Sequence, residues 1–209
     1  MRLLVAALAA VVVTACSIST PITPTPTAFG TRTPPGSPTS TAAGSPSGSA
    51  ASPSSGPAVA SDEELLQFAP KAGNGIDFQY DPETTDEVAA DPRLAADLAA
   101  LAIGLFTVTG QSPPADFVVL SVARLRDPAA DEEWFRGYRD SYDESACTTA
   151  GGVVRHAETT INGRQVFIGS CAAGAFTYHV RIASGAVVLS LTSVGPDRLG
   201  ERVLRRLAP

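Results

Sequence analysis

The chain has 209 residues with 15 basic and 21 acidic side chains, a net charge of −6. All 21 acidic residues fall within residues 61–209, which carry a net −8. That balance argues against a nucleic-acid partner and against docking on anionic lipid through the protein surface, since both want basic faces.

Met1 and Arg2 supply a short positive start, and residues 3–13 are an unbroken apolar run of the length expected for an export signal. The run is too short to span a bilayer, which takes about 20 apolar residues. Cys16 stands directly behind it. Val13-Thr14-Ala15-Cys16 resembles the lipobox of bacterial lipoproteins, an aliphatic residue and two small ones before an obligatory cysteine. The resemblance implies that residues 1–15 are removed, that the Cys16 thiol carries diacylglyceryl, and that the chain is held at the cell membrane on its extracytoplasmic side. Ordinary cleavage after Val-x-Ala would be legal at the same place. Two or more acyl chains give stable anchoring, where one is marginal.

Residues 17–60 contain 18 Ser or Thr, 9 Pro, one charged residue (Arg32) and one aromatic (Phe29). Such a tract buries too little apolar surface to offset the entropy of ordering it, so residues 16–60 are expected to be a disordered, lipid-anchored linker. Its reach lies between about 40 Å as a coil and ~135 Å fully extended. That is enough to hold a domain well away from a membrane, and Ser/Thr/Pro tracts can also carry O-glycans.

Residues 61–209 are expected to form one extracytoplasmic domain of ordinary size. Ser61-Asp62-Glu63-Glu64 has the pattern of a capping box opening a short helix that Pro70 stops. After a turn at Gly73-Asn74-Gly75, Ile76, Phe78 and Tyr80 alternate as a strand, ended by Asp81-Pro82. Asp91-Pro92 then predicts a second helix with Leu94, Leu98, Leu101, Ala102 and Leu105 on one face, ending before Gly110. The nearly all-apolar segment 117–125 reads as a central strand. Asp127-Pro128 predicts a third helix, with acids at 131, 132 and 133 and with Trp134, Tyr138 and Tyr142 at successive turns. Asn162-Gly163, between the alternating runs 153–161 and 164–171, is a type I′ hairpin signal. Ser184-Gly185 marks a second hairpin whose register sets Ile182, Val180 and Tyr178 against Val187, Leu189 and Leu191. Pro196 opens a final helix bearing Leu199, Val203 and Leu207 on one side and Arg202, Arg205 and Arg206 elsewhere. The fold class expected is α+β, an antiparallel sheet of about five to six strands with helices packed mainly on one face.

With Cys16 taken as the lipid site, Cys147 and Cys171 remain as an even pair in an oxidising compartment, and a disulfide is expected between them. It would pin the end of the Trp134 helix to the first hairpin. Over residues 153–207 the order of two hairpins and a closing helix, behind a lipobox and a Pro/Ser/Thr linker, resembles the small PsbP-like domains of some bacterial lipoproteins. The resemblance is one of element order without a signature motif, and it implies a non-catalytic extracytoplasmic domain.

No G-x-S-x-G elbow, Walker loop, H-E-x-x-H or dinucleotide fingerprint occurs, and no cofactor is expected. The two histidines stand on the hairpins. His179 alternates outward with Thr177 and Arg181, opposite Ser190, while His156 and Glu158 share a face of the first hairpin. His156, Glu158, His179 and Arg181 are therefore the candidate ligand-binding patch, set against the plain alternative of a solvated sheet face. Asp140, Asp143 and Glu144 near a helix C-terminus, where the dipole disfavours them, hint at a use such as pairing with the Arg-rich last helix, though a solvated acidic face explains them as simply. Three functions stay open: a membrane-tethered module binding a protein, glycan or small molecule; an accessory subunit of an envelope complex; or an enzyme, such as a hydrolase, with a dispersed site.

Overall fold

The computed structural model describes residues 58–111, 116–127 and 130–208. Residues 1–57, which hold the expected signal segment 1–15, Cys16 and most of the expected linker 16–60, lie outside the described residues, as does Pro128. Elements are β1 (Ala60–Ser61), β2 (Ile76–Tyr80), α1 (Pro82–Ala89), β3 (Leu98–Val108), β4 (Phe117–Leu125), α2 (Glu132–Cys147), β5 (Val153–Ile161), β6 (Arg164–Cys171), β7 (Phe176–Ile182), β8 (Val187–Val194) and α3 (Leu199–Leu204). The class is α+β.

The sheet is larger than expected, with eight strands in the order β1-β3-β4-β8-β7-β6-β5 and β2 also on β3. It is mixed rather than purely antiparallel, because β1 runs parallel to the start of β3 while β2 pairs antiparallel with its second half. Two strands exceed the expectation, β1 and β3. Segment 98–108 forms no helix: Asp91 caps only a turn, through a bond from the Arg93 amide to its carboxylate, and the chain becomes extended at Leu98. Periodicity cannot separate a buried helix from a strand buried on both faces. Here Ala100, Ala102 and Phe106 face one layer and Leu101 and Ile103 the other, so both faces are apolar. Gly104 leaves the room that the Phe78 ring of β2 occupies; any Cβ there would collide with it.

The helices cover both faces, not one. On one side a 3-10 helix (Glu63–Phe68) and α3 cover the strands, and Leu65, Leu199, Val203 and Leu207 pack on Val118, Leu120, Tyr178, Val180, Leu189 and Leu191. On the other side Val88 and Ala89 of α1 and Phe135 of α2 pack on Leu101, Ile103, Ala123, Phe167 and Val188. Strand alternation feeds both cores, which is how two apolar layers grow from one sheet.

Caps differ from expectation by a few residues. Asp62, not Ser61, caps the 3-10 helix, because Ser61 is already extended in β1 and donates its hydroxyl to Asp86 Oδ1 at 2.5 Å. α2 is capped by Asp131, which accepts from the Trp134 amide at 2.8 Å, and Glu132 and Glu133 fall in its first turn. Both hairpins have the expected register. At the first turn Asn162 and Gly163 both have positive φ, 50° and 76°, the type I′ signature. Cys147 and Cys171 are disulfide-bonded, joining the last turn of α2 to the end of β6. Among the described residues no helix is long and apolar enough to cross a membrane.

Candidate functional site

α2 places Phe135, Tyr142, Asp143 and Cys147 on its buried side, with Tyr138 one turn along. It lies across β5, β6 and β7 on the face where Thr177, His179, Ser190 and Thr192 point. That face is therefore not the solvated one expected: Thr177, His179 and Ser190 are all fully buried. The reason lies in α2, whose tyrosines present rings to the sheet and hydroxyls to its polar groups. Tyr138 Oη sits 2.9 Å from Ser190 Oγ, and Tyr142 Oη 3.1 Å from Thr192 Oγ1. Burial pushes the Tyr142 hydroxyl up to about 12 and raises Tyr138 as well, each against a lowering hydrogen bond, so both stay protonated at neutral pH.

Asp143 is the centre of this layer. Its carboxylate, 1 % exposed as a residue, accepts from Thr177 Oγ1 at 2.5 Å and meets His179 Nε2 at 2.8 Å through one oxygen; the other meets His156 Nε2 at 3.0 Å. Burial works against ionisation, but the bonds from His179 and Thr177 and the two imidazoles outweigh it and hold the carboxyl below the ordinary carboxylate range. With His179 protonated on Nε2, its Nδ1 can accept from Ser190, 2.9 Å away, and Ser190 can accept from Tyr138. A continuous chain thus runs Tyr138–Ser190–His179–Asp143–His156. Gly169 of β6 makes it possible, since a Cβ there would fall on the Asp143 carboxylate and the Thr177 hydroxyl.

Serine, histidine and aspartate in hydrogen-bond sequence invite comparison with a hydrolase. The arrangement cannot act as one in this form. Ser190 and His179 are 0 % exposed, and the serine hydroxyl is enclosed by the imidazole and the Tyr138 hydroxyl, so no substrate carbonyl can reach it. The bonds hold α2 on the sheet.

The solvent side of the same cluster is a cleft of about 370 Å³ between α2 and the β5–β6 hairpin, lined by Arg136, Arg139, Asp140, His156, Glu158 and Phe167, with Asp143 at its base. The Arg139 guanidinium lies 4.0 Å over the Phe167 ring centroid and 3.8 Å from Glu158 Oε1. Its Nε is buried and has no hydrogen-bond partner among the described residues. The His156 side chain is 52 % exposed, so the cleft opens at the imidazole.

Of the four candidate residues, His156 and Glu158 line the cleft and His179 lies beneath it, joined to His156 through Asp143. Arg181 lies elsewhere on the same face, donating to Ala130 O at 2.7 Å with its guanidinium 5.3 Å over Phe135. Asp143 pairs with the histidines, not with the Arg-rich last helix. It carried one signal in the sequence that passed unused: it stands eight residues after Phe135 and four before Cys147, on the buried stripe of an amphipathic helix. Among the described residues no group of three or more His, Cys, Asp or Glu side chains is placed to hold a metal ion. No family model, curated protein or solved structure matches the chain.

Proposed function

We propose that the chain is a lipid-anchored envelope protein whose α+β domain is a non-catalytic binding module, and that an anionic ligand enters the cleft between α2 and β5. Val13-Thr14-Ala15-Cys16 and the linker that follows support the anchor. The observation that carries the binding reading is the Arg139 guanidinium, held over Phe167 with a buried Nε–H that has no partner among the described residues, beside Arg136 and an exposed His156. A planar guanidinium fixed by stacking is preorganised for a carboxylate or phosphate oxygen, and a charge-assisted bond to it supplies both orientation and affinity. Both Asp143 oxygens are engaged, Oδ1 by His179 and Oδ2 by His156, so neither is a bare carboxylate oxygen facing the ligand. Glu158, 3.8 Å from Arg139, is the group an incoming anion would displace.

Inorganic phosphate and acetate are suitable probes. Titration of either into the protein, followed by the imidazole proton signals of His156, should give a saturable shift. Arg139→Gln should weaken it by about tenfold or more, the worth of one charge-assisted hydrogen bond. A linear, non-saturating response, or one indifferent to Arg139→Gln, would remove the anion site.

A further inference from the structure

The two edges of the sheet differ in how they are closed. Along β3 the outer edge is taken by β1 and β2 in succession. At the other end β5 has no neighbour on its outer side among the described residues. It is nine residues long, contains neither Pro nor Lys, and residues 154–160 are all exposed, Val154 at 68 %. Edge strands of this length are ordinarily guarded by charged side chains, Pro, a cover or a bulge, because their free N–H and C=O groups template pairing. β5 carries Arg155, Glu158 and one bulge, between Val153 and Arg155, which leaves residues 155–161 as a regular edge. Beside a two-residue type I′ turn the flanking residues, here Ile161 and Arg164, form a hydrogen-bonded pair, so the backbone groups of His156, Glu158 and Thr160 are the ones aimed outward.

We propose that β5 pairs antiparallel with β5 of a second copy of this chain, about a two-fold axis passing through Ala157. Charge selects the register. Outward-aimed groups must meet one another, so the axis has to pass through a residue. An axis at Glu158 would set two carboxylates directly opposite, one at His156 two imidazoles, and one at Arg155 two guanidinium groups. Only the Ala157 axis sets His156 against the partner's Glu158 and Glu158 against the partner's His156. The same register places Arg155 against the partner's Thr159, so the regular stretch 155–159 is self-complementary up to the bulge. The Asp143–His156 contact then continues across the axis to a partner carboxylate, and the two clefts come to lie on either side of one shared strand pair. This goes beyond the ligand reading and does not depend on it. One strand pair is a small interface, below the ~1,200 Å² of stable complexes, so the association is a weak one that a covalent trap reads best.

The axis brings the two Ala157 positions face to face and leaves the two Thr159 positions about 14 Å apart along the strands, at ~3.4 Å per residue. In the full chain isolated from its host and mildly oxidised, Ala157→Cys should give a disulfide-linked dimer at high yield and Thr159→Cys should stay at the background of the parent chain. Adding Glu158→Arg to the Ala157→Cys chain should cut the dimer yield severalfold, with the melting temperature unchanged within a few degrees. No dimer at Ala157→Cys, equal yields at both positions, or indifference to Glu158→Arg would each overturn the pairing.

Discussion

Asp143→Ala is expected to lower the stability of the domain by about 3–5 kcal/mol at neutral pH, the cost of removing one partner from a buried, hydrogen-bonded charge cluster. The substitution strips the fully buried Thr177 hydroxyl and His179 Nε2 of their shared acceptor and leaves both in a layer that water does not reach. It also frees the His156 ring at the cleft mouth. Asp143→Asn should cost less, because one amide oxygen can still accept from Thr177 and His179. The effect has a defined pH dependence. The folded-state carboxyl titrates below the ordinary value of 3.8, so its contribution is fully present above that value and is lost as pH falls through the lower, folded one. Chemical denaturation of wild type and variant at pH 7 and across pH 2–4 reads this directly. The two stability curves should converge on acidification. A constant gap, or a loss under 1 kcal/mol at pH 7, would mean that Asp143 is not the clasp between α2 and the sheet.

The disulfide carries the second large effect. Cys147 and Cys171 are 24 residues apart, and the loop they close restricts the unfolded chain by about 3.5 kcal/mol in the chain-entropy model. Locally the bond ties the last turn of α2, one turn beyond Asp143, to the end of β6. It is reinforced there by backbone bonds from Gly152 to Cys147 and from Ala172 to Gly152. The double variant Cys147→Ser, Cys171→Ser should therefore unfold at a clearly lower temperature. Amide exchange should speed first in the end of α2 and residues 148–152, while β3 and β4 keep their protection. An unchanged melting transition would show that the bond is absent or idle.

What could be read from the sequence follows the range of the forces involved. The hairpins were legible because Asn162-Gly163 demands positive φ and because Tyr178, Val180 and Ile182 alternate in phase with Val187, Leu189 and Leu191; both signals are local. Segment 98–108 misled because Ala and Leu favour a helix in isolation, while burial under helices on both faces and pairing with β2 and β4 favour a strand, and neither neighbour is visible from within the segment. The candidate site was legible in part. His156 and Glu158 stand out as same-face hairpin residues, but alternation alone sets His179 on an outward, wet face. What turned that face inward was α2, which brings its own hydroxyls and a carboxylate to meet them. A polar strand face and a tyrosine-rich helix stripe carrying one acid are complementary, and recognising that pair needs the packing of two elements more than 30 residues apart.

The proposed lipid anchor would govern where any ligand is met, and intact mass of the protein purified from its native envelope tests it most directly. The expected species begins at Cys16, carries added acyl mass, and is two hydrogens lighter than the fully reduced chain, so lipid and disulfide are read together. Added hexose units would mark the linker as glycosylated without altering that outcome. A mass corresponding to cleavage with an unmodified Cys16 would contradict the lipid anchor and make the domain a secreted one.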